Sequence, residues 1–333
     1  MKNRIFVTGS EGFFGSTLIE HLVKKKHNIC ALVQYNSFQS IGWLENLDKS
    51  IIKKITIIHG DIRDKEFLEK NIRNNDIIIN LAALIGIPYS FTAARSYIDT
   101  NITGTFNLLE VAKKKKIRKF IQTSTSEVYG SAKFVPMTEE HPVNPQSPYA
   151  ASKSSCDSLA LSYYYSFNIP VTILRPFNIF GPRQSPRAVI PTIISQALKK
   201  NVKTIKLGEL KSKRDFTYVL DTAIAYEKAL FNKKCIGEII NIGSNFEISI
   251  KDIASNVFKI LNKKVKILID NKRLRPSRSE VYRLYASNKK AKKILNWKPK
   301  YSGKMYFRKG LQHTISWYIK NSKYFKNSSK YKI

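Results

Sequence analysis

Cysteine is scarce in this chain of 333 residues. The three cysteines, Cys30, Cys156 and Cys235, are widely spaced and form no Cys-x-x-Cys pair. This pattern favours a reducing, cytoplasmic environment over a disulfide-stabilised one. The five histidines, His141 among them, show no metal-ligand spacing, so we expect no metal site.

Long apolar runs are also missing. The first apolar run, residues 5–7, follows the charged Lys2 and Arg4 and ends at Thr8, which is too short for the core of a signal peptide. No stretch approaches the roughly 20 apolar residues of a membrane-spanning helix. We therefore expect no insertion into a membrane.

Acidic residues are few, 24 against 58 basic ones, and the formal net charge is +34. Such a charge generally favours polyanionic partners. The lysine runs at residues 24–26 and 113–116, however, fall at predicted helix ends, where cations offset the negative end of the helix dipole. We interpret the excess as solvated helix ends and expect no nucleic-acid partner; a polyanion-binding surface is the alternative.

Short runs rich in Ile and Val alternate with amphipathic stretches of helical length. This alternation predicts an α/β fold: a Rossmann-like doubly wound parallel sheet with a smaller, discontinuous C-terminal lobe that binds substrate. The predicted strands are Arg4–Thr8, Ile29–Gln34, Ile55–His59, Asp76–Leu81, Lys119–Ser124 and Val171–Arg175. The predicted helices are Phe13–Lys25, Lys65–Arg73, Ser96–Lys113 and Tyr149–Phe167.

Prolines become frequent after Arg175, and later elements are shorter, which predicts a second lobe. We assign residues 1–175 to a dinucleotide-binding domain, with residues 220–244 returning to it as a helix, which Asp221 is expected to cap, and a strand. Residues 176–219 and 245–320 are assigned to the substrate lobe, and residues 321–333 to a polar tail. A crevice between the lobes is expected at the carboxyl ends of the strands.

Three glycines spaced Gly-x-x-Gly-x-x-Gly, at Gly9, Gly12 and Gly15, lie between the first strand and the first helix. Missing side chains allow a sharp turn and close approach to a pyrophosphate, and the helix N-terminus favours the anion. An ordinary turn is the alternative, but the context favours a dinucleotide site. The residues expected to hold the cofactor here are Gly9, Gly12, Phe13, Phe14 and Gly15.

Two later segments extend the predicted cofactor site. Asp61, followed by Ile62, comes after the third strand, where its carboxylate could accept a hydrogen bond from the adenine amino group. The alternative is a structural role, capping the next helix near Arg63, and the two roles are compatible. The small residues of Leu81-Ala82-Ala83 would let the backbone pass under the adenosine. The second strand ends without the acidic residue that selects an unphosphorylated ribose, and without an arginine for a 2′-phosphate. The sequence therefore leaves the choice between NAD and NADP open.

Tyr149 and Lys153 are four residues apart and so share one face of a helix. An ammonium beside a phenol favours the phenolate, which would let Tyr149 remove a hydroxyl proton while Lys153 also binds the nicotinamide ribose. A Tyr-x-x-x-Lys pair alone is often surface decoration. Its position after a glycine-rich loop and a series of strands favours catalysis.

Four motifs together resemble the extended short-chain dehydrogenase/reductase superfamily that acts on nucleotide sugars, over essentially the whole chain. The motifs are Thr8-Gly9-x-x-Gly12-x-x-Gly15, Ser124-x-x-Glu127-Val128-Tyr129-Gly130, Tyr149-x-x-x-Lys153 and Arg175-Pro176-Phe177-Asn178. The triplet Thr125-Ser126-Glu127 resembles the 4,6-dehydratases, the GDP-mannose branch more than the dTDP-glucose branch, which carries Asp-Glu at positions 126 and 127. Residues 34–38, 84–90, 187–192 and 241–249 are similar to the dehydratases of legionaminic-acid biosynthesis, which act on GDP-N-acetylglucosamine.

The resemblance implies an NAD(P)-dependent reaction that converts a nucleotide hexose, GDP- or UDP-N-acetylglucosamine, to the 4-keto-6-deoxy sugar. Tyr149 would take the proton of the 4-hydroxyl during oxidation at C4, and Thr125 would bind that oxygen. Glu127 would remove the C5 proton, water would leave from C5 and C6, and hydride would return to C6 from a tightly bound cofactor that is regenerated each turnover. Ser126 replaces the usual acid, so Glu127 or a water would protonate the leaving hydroxyl.

The resemblance also implies residues that hold the nucleotide diphosphate. Asn178, Arg187, Arg214 and Arg275 are the candidates, because arginine's planar fork suits phosphate. A homodimer through the helices near residues 96–113 and 149–167 is expected. The alternatives are a 4-epimerase or reductase on the same scaffold, which has no use for Glu127, and a silent dinucleotide-binding protein with a nucleic-acid-binding surface.

Overall fold

The computed structural model describes residues 4–325. Its strands are β1 (Arg4–Thr8), β2 (Asn28–Gln34), β3 (Ile55–Gly60), β4 (Ile77–Asn80), β5 (Lys119–Thr123), β6 (Val171–Pro176), β7 (Asn178–Phe180), β8 (Thr204–Leu207), β9 (Lys213–Tyr218), β10 (Ile239–Ile242), β11 (Glu247–Ser249), β12 (Lys266–Ile269) and β13 (Arg283–Leu284). Its α-helices are α1 (Phe13–Lys24), α2 (Lys49–Ile52), α3 (Lys65–Asn71), α4 (Ile87–Ser90), α5 (Ala94–Tyr97), α6 (Gly104–Lys114), α7 (Pro148–Phe167), α8 (Val189–Ala197), α9 (Val219–Leu230), α10 (Ile250–Leu261), α11 (Lys289–Leu295) and α12 (Gly303–Lys320).

Seven parallel strands form the main sheet in the order β10-β6-β5-β4-β1-β2-β3. The order reverses between β1 and β4, and sheets of this kind bind ligands at the carboxyl ends of strands beside such a reversal. The predicted fold class, a Rossmann-like doubly wound sheet, is confirmed. Among the described residues no helix is long and apolar enough to cross a membrane.

Apolar side chains cover the sheet on both faces. Leu18 and Leu22 of α1 pack with Tyr226 of α9 on one face, while Leu108 of α6 and Ala160 of α7 belong to the cluster on the other. Strands β1, β2 and β4 are buried along most of their length, as expected of a parallel sheet covered on both sides. The sheet is therefore a rigid support for the loops at its carboxyl edge.

The remaining strands lie in two small sheets, β7, β9, β11 and β13 in one and β8 and β12 in the other. Their core contains aromatic rings, and the centroids of Phe180 and Phe307 are 5.1 Å apart. The division of the chain into domains, given above by residue numbers, stays a prediction. Residues 326–333 of the predicted tail lie outside the described residues.

One local prediction is confirmed with an irregularity, and one is wrong. The helix expected at Ser96–Lys113 is present without a break from Ala94 to Lys114, but its middle part, Ile98–Thr103 between α5 and α6, is π-helical. Within the π-helical segment the buried side chain of Asn101 bonds the backbone of Leu84 through both its oxygen and its nitrogen, a tertiary contact that no helical period reveals. Asp221 does not cap α9, which begins two residues earlier; its carboxylate instead accepts a hydrogen bond from the Tyr301 N–H at 2.8 Å.

Candidate active site

A cavity of about 800 Å³ runs along the carboxyl edge of the main sheet. Residues at the ends of β1 to β6, or directly after them, contribute to its wall at one side, and residues of the small sheets contribute to the other. Every site residue predicted above lines it except Lys153. The predicted residues at its wall are Gly9, Gly12, Phe13, Phe14, Gly15, Asp61, Ile62, Leu81, Ala82, Ala83, Thr125, Ser126, Glu127, Tyr149, Asn178, Arg187, Arg214 and Arg275.

The glycine-rich loop needs its glycines for steric reasons. Gly9 has a φ of +63°, and a Cβ there would lie 2.9 Å from the backbone nitrogen of Ala82. A Cβ at Gly15 would collide with the carbonyl oxygen of Gly9. Gly12 stands at the N-cap of α1, so the free N–H groups of that helix open toward the cavity. This cradle of backbone and free N–H groups fits a pyrophosphate.

Asp61 lines the cavity but does not cap the following helix. The N-cap of α3 is Asp64, whose side chain accepts from the Phe67 N–H. Asp61 instead accepts from the backbone and the guanidinium of Arg63, with 2.6 Å between its Oδ2 and a guanidinium nitrogen. The hydrogen bonds with Arg63 are the main cause that lowers the pKa of this carboxyl, so Asp61 presents an ionised acceptor to the cavity.

Tyr149 stands in the first turn of α7, where the Ser147 side chain caps the helix and Pro148 occupies its first position. The phenol is buried, with 8% of the residue exposed, and burial raises its pKa above the ordinary value. A hydrogen bond with Thr125 lowers the pKa, and the charge of Glu127 raises it. Tyr149, Thr125 and Glu127 therefore act on one another at the cavity wall.

Lys153 lies one helical turn after Tyr149 and is 4% exposed. It is not among the residues that line the cavity. The expectation that its ammonium governs the pKa of Tyr149 needs correction, because burial is the dominant influence on that phenol. Its predicted contact with the nicotinamide ribose stays a prediction.

Glu127 and Ser126 belong to a single turn of 3₁₀ helix, Ser126–Tyr129, that follows β5. The Thr125 hydroxyl caps this turn by accepting from the Glu127 N–H at 3.2 Å, which leaves the Glu127 carboxylate free of that task. The carboxylate is nearly buried, and its Oε2 pairs with a guanidinium nitrogen of Arg275 at 3.4 Å. A carboxylate thus faces the cavity close to Tyr149.

The predicted diphosphate residues differ in their surroundings. Arg214 is 5% exposed and pairs with Glu280 at 3.4 Å, and burial lowers the pKa of its guanidinium. Arg187 is exposed. The side-chain oxygen of Asn178 is buried without a hydrogen-bond partner among residues 4–325. Cations and an unsatisfied polar atom therefore meet at the end of the cavity that is away from the glycine-rich loop.

Three carboxylates at the cavity wall escaped the sequence analysis: Glu11, Glu209 and Glu280. Glu11 belongs to the glycine-rich loop itself, and Glu280 pairs with Arg214. Glu11 could have been noticed as a variable position inside the loop motif. Glu280 lies 66 residues from its partner Arg214, and no local sequence pattern predicts a pairing over that distance.

The model of the GDP-mannose 4,6-dehydratase family matches residues 6–310 of the chain. The chain belongs to this family. The dTDP-D-glucose 4,6-dehydratase of Homo sapiens is 32% identical over 98% of this chain and 93% of its own length.

Solved relatives agree with this assignment. The chain matches the dTDP-glucose 4,6-dehydratase of Bacillus anthracis, a complex with NAD, with a TM-score of 0.81 and 32% identity over 97% of this chain and 98% of that one. It matches the UDP-glucuronic acid 4-epimerase of Bacillus cereus, a complex with UDP-glucuronic acid and NAD, with a TM-score of 0.83 and 32% identity over 96% and 99%.

Members similar to this chain thus include both dehydratases and epimerases. The chain is an enzyme of this NAD-dependent nucleotide-sugar dehydratase and epimerase family. Within residues 4–325 no group of three or more His, Cys, Asp or Glu side chains could hold a metal ion.

Proposed function

We propose that this enzyme is a nucleotide-sugar 4,6-dehydratase that converts GDP- or UDP-N-acetylglucosamine to the 4-keto-6-deoxy sugar, in the manner of the legionaminic-acid pathway dehydratases. One observation carries the proposal: Glu127 places a nearly buried carboxylate at the cavity wall, close enough to Tyr149 to raise the pKa of its phenol. A 4-epimerase has no step that needs this carboxylate.

The cofactor end of the cavity fits a dinucleotide, because Gly9 and Gly15 leave room that a Cβ would fill. When bound, the nicotinamide supplies an acceptor for the hydride of C4 and later returns that hydride to C6. Gly9, Gly12 and Gly15, with Phe13 and Phe14 at the start of α1, would hold the pyrophosphate of the dinucleotide. Ile62, Leu81, Ala82 and Ala83 would lie on its adenosine side.

Tyr149 receives the proton of the sugar 4-hydroxyl. Burial raises the pKa of its phenol, so the ionised form needs support, which the hydrogen bond with Thr125 provides. Thr125 also holds the C4 oxygen as it becomes a ketone. The ketone then acidifies the neighbouring C5–H bond.

Glu127 takes the C5 proton. A C5=C6 double bond forms as the C6–O bond breaks, and the departing hydroxide gains a proton from Glu127 or from water, since the Ser126 hydroxyl is a poor acid at neutral pH. C5 is protonated again by a proton from solvent as hydride arrives at C6. The proton balance closes when Tyr149 releases to solvent the proton that it took from the 4-hydroxyl. Arg214, Arg275, Arg187 and Asn178 hold the diphosphate meanwhile.

The experiment incubates the purified enzyme with GDP- and UDP-linked N-acetylglucosamine and mannose in deuterated water. We expect a product that has lost one water and carries deuterium at C5, which mass spectrometry and NMR detect. An isomer of unchanged mass would identify a 4-epimerase, the second candidate, which the likeness to the Bacillus cereus epimerase favours. No water loss from any of these substrates would refute the dehydratase.

Glu127→Gln separates the two half-reactions. We expect it to slow product formation by roughly 10²- to 10⁴-fold, the usual range for losing a general base. Oxidation at C4 should persist, and reduced nicotinamide should accumulate, measured by its absorbance. Tyr149→Phe is the matched control, since it should prevent both steps. Unchanged turnover in Glu127→Gln would refute the role of Glu127 as base.

Two further proposals concern the setting of the reaction. We place the enzyme in the cytoplasm, as its cysteine content favours, and as a homodimer that pairs through α6 and α7. Exposed apolar side chains on these elements support the second proposal, with Phe106 41% and Phe167 47% exposed. Analytical ultracentrifugation tests it; a sedimentation coefficient of a monomer at micromolar concentration would contradict it.

A further inference from the structure

Glu11 lies inside the glycine-rich loop, and its side chain lines the cavity at the carboxyl end of β2. Its Oε1 accepts a hydrogen bond from the backbone N–H of Gln34, the last residue of β2, at 3.1 Å. Its Oε2 is buried and has no hydrogen-bond partner among residues 4–325. Buried carboxylate oxygens normally accept a hydrogen bond. Oε2 of Glu11 is therefore an acceptor whose donor has to come from outside residues 4–325.

The end of β2 is where sheets of this kind hold the adenosine ribose. An acidic side chain there usually accepts a hydrogen bond from the ribose 2′-hydroxyl, which distinguishes NAD from NADP. In this chain Gln34 occupies that end, and the sequence alone left the choice of cofactor open. Glu11 brings a carboxylate to the same place from a different part of the chain.

The two other charged residues that line this end of the cavity, Asp61 and Arg63, pair with each other. Both carboxylate oxygens of Asp61 accept hydrogen bonds from the guanidinium of Arg63. Arg63 is the kind of cation that would hold a 2′-phosphate, but its guanidinium is committed to Asp61 at 2.6 Å. Glu11 is therefore the carboxylate at this end with a buried oxygen that has no donor among residues 4–325.

The loop after β2 fixes Glu11 in position. The Trp43 N–H donates to the Glu11 carbonyl oxygen at 2.9 Å, and Gly42, at a φ of +57°, lies so close that an added Cβ would be 2.9 Å from the Glu11 Cβ. Burial raises the pKa of the Glu11 carboxyl, because the ionised form has lost water. A hydroxyl donor from a ligand would replace that water and stabilise the carboxylate, whereas a phosphate would repel it.

We infer that Glu11 is the specificity-determining residue of the cofactor site: its carboxylate accepts a hydrogen bond from the adenosine ribose 2′-hydroxyl and excludes a 2′-phosphate. The enzyme therefore selects NAD over NADP. This selection comes from the glycine-rich loop and not from the end of β2. It is independent of which sugar reaction the enzyme performs.

Equilibrium binding tests the inference without any turnover. NAD⁺ and NADP⁺ are titrated by calorimetry into the full-length protein after removal of bound nucleotide. Glu11→Gln keeps the shape of the side chain and removes its charge, and Glu11→Ala removes both. The matched control is Glu45→Gln, which removes a charge from the neighbouring loop, where Glu45 bonds Ser40 and the Ile41 N–H.

We expect the unaltered protein to prefer NAD⁺ by about a hundredfold, and Glu11→Gln to reduce that preference by at least about tenfold through tighter binding of NADP⁺. Glu11→Ala should also weaken NAD⁺ by about tenfold. Glu45→Gln should leave the ratio of the two affinities unchanged.

Several results would overturn the inference. They are equal affinities in the unaltered protein, binding of neither dinucleotide, an unchanged preference in Glu11→Gln, or an equal change in Glu45→Gln. Circular dichroism establishes that each variant folds. If Glu11→Gln does not, Glu11→Asp replaces it, because a carboxylate withdrawn by one methylene should weaken NAD⁺ by about tenfold; unchanged affinity there would count against the inference as well.

Discussion

The two ends of the cavity differ in the groups that line them. At the cofactor end the glycine-rich loop meets its neighbours as backbone, with Gly9 packed against Ala82 so that no Cβ has room. At the sugar end the wall is charged, with the pairs Arg275–Glu127 and Arg214–Glu280. The glycine-rich loop is specified by shape and the sugar end by charge.

This difference determines how each end fails. A close-packed backbone tolerates no added volume, since neither partner can move aside without disturbing the sheet. A buried ion pair tolerates some change of shape, but it does not tolerate the loss of one partner, which leaves an uncompensated charge. Matched substitutions at the two ends therefore test whether packing governs the one and charge the other.

The largest effect on stability is expected at the sugar end. Arg214→Gln leaves Glu280, itself only 12% exposed at its side chain, without its partner. Loss of one member of a buried pair costs about 3–5 kcal/mol, so the free energy of unfolding in urea should fall by that amount. The matched control is Arg283→Gln, which breaks a pair between Arg283 of β13 and Glu247 of β11, on either side of β9.

Arg283 is 44% exposed at its side chain, and exposed ion pairs contribute about 0–1 kcal/mol. The control should therefore change the unfolding midpoint little. Equal losses in the two variants would mean that burial does not distinguish the pairs, and the sugar end would not then be specified by charge.

The next effect is expected in the glycine-rich loop. Gly9→Ala adds a Cβ at a φ of +63° and 2.9 Å from the Ala82 nitrogen, so strain and overlap together should cost about 2–4 kcal/mol. Binding of NAD⁺ should also weaken, because the cradle for the pyrophosphate is displaced. Thermal unfolding and calorimetric titration measure the two effects.

Gly303→Ala is the matched variant, since Gly303 has a φ of +78° but nothing within 4 Å of its added Cβ. It carries the strain of a left-handed residue without the overlap, and should cost about 1 kcal/mol. Similar losses for Gly9→Ala and Gly303→Ala would show that close approach to the backbone of Ala82 is unimportant.

The same contrast explains what the sequence could predict. The strands of the main sheet and the glycine-rich loop were predicted to within a few residues, because hydrophobic runs and glycine spacing are local signals. The ion pair of Arg275 with Glu127 joins residues 148 positions apart, and the π-helical turn at Asn101 depends on contact with Leu84. Asp221 was misassigned for the same reason, since its partner is Tyr301.

The smallest effect on stability is expected at Arg275, and it is the one that separates binding from folding. Its side chain is 22% exposed, and Glu127 keeps the charge of Arg214 nearby, so Arg275→Gln should lower the free energy of unfolding by only about 1 kcal/mol. A sugar nucleotide should nevertheless bind about tenfold more weakly, because a phosphate loses a charged donor. Calorimetric titration with GDP and UDP measures this, with Arg278→Gln, an exposed neighbour that does not line the cavity, as control. If Arg275→Gln and Arg278→Gln bind GDP and UDP with equal affinity, Arg275 serves only to hold Glu127, and the diphosphate is held by Arg214 and its neighbours.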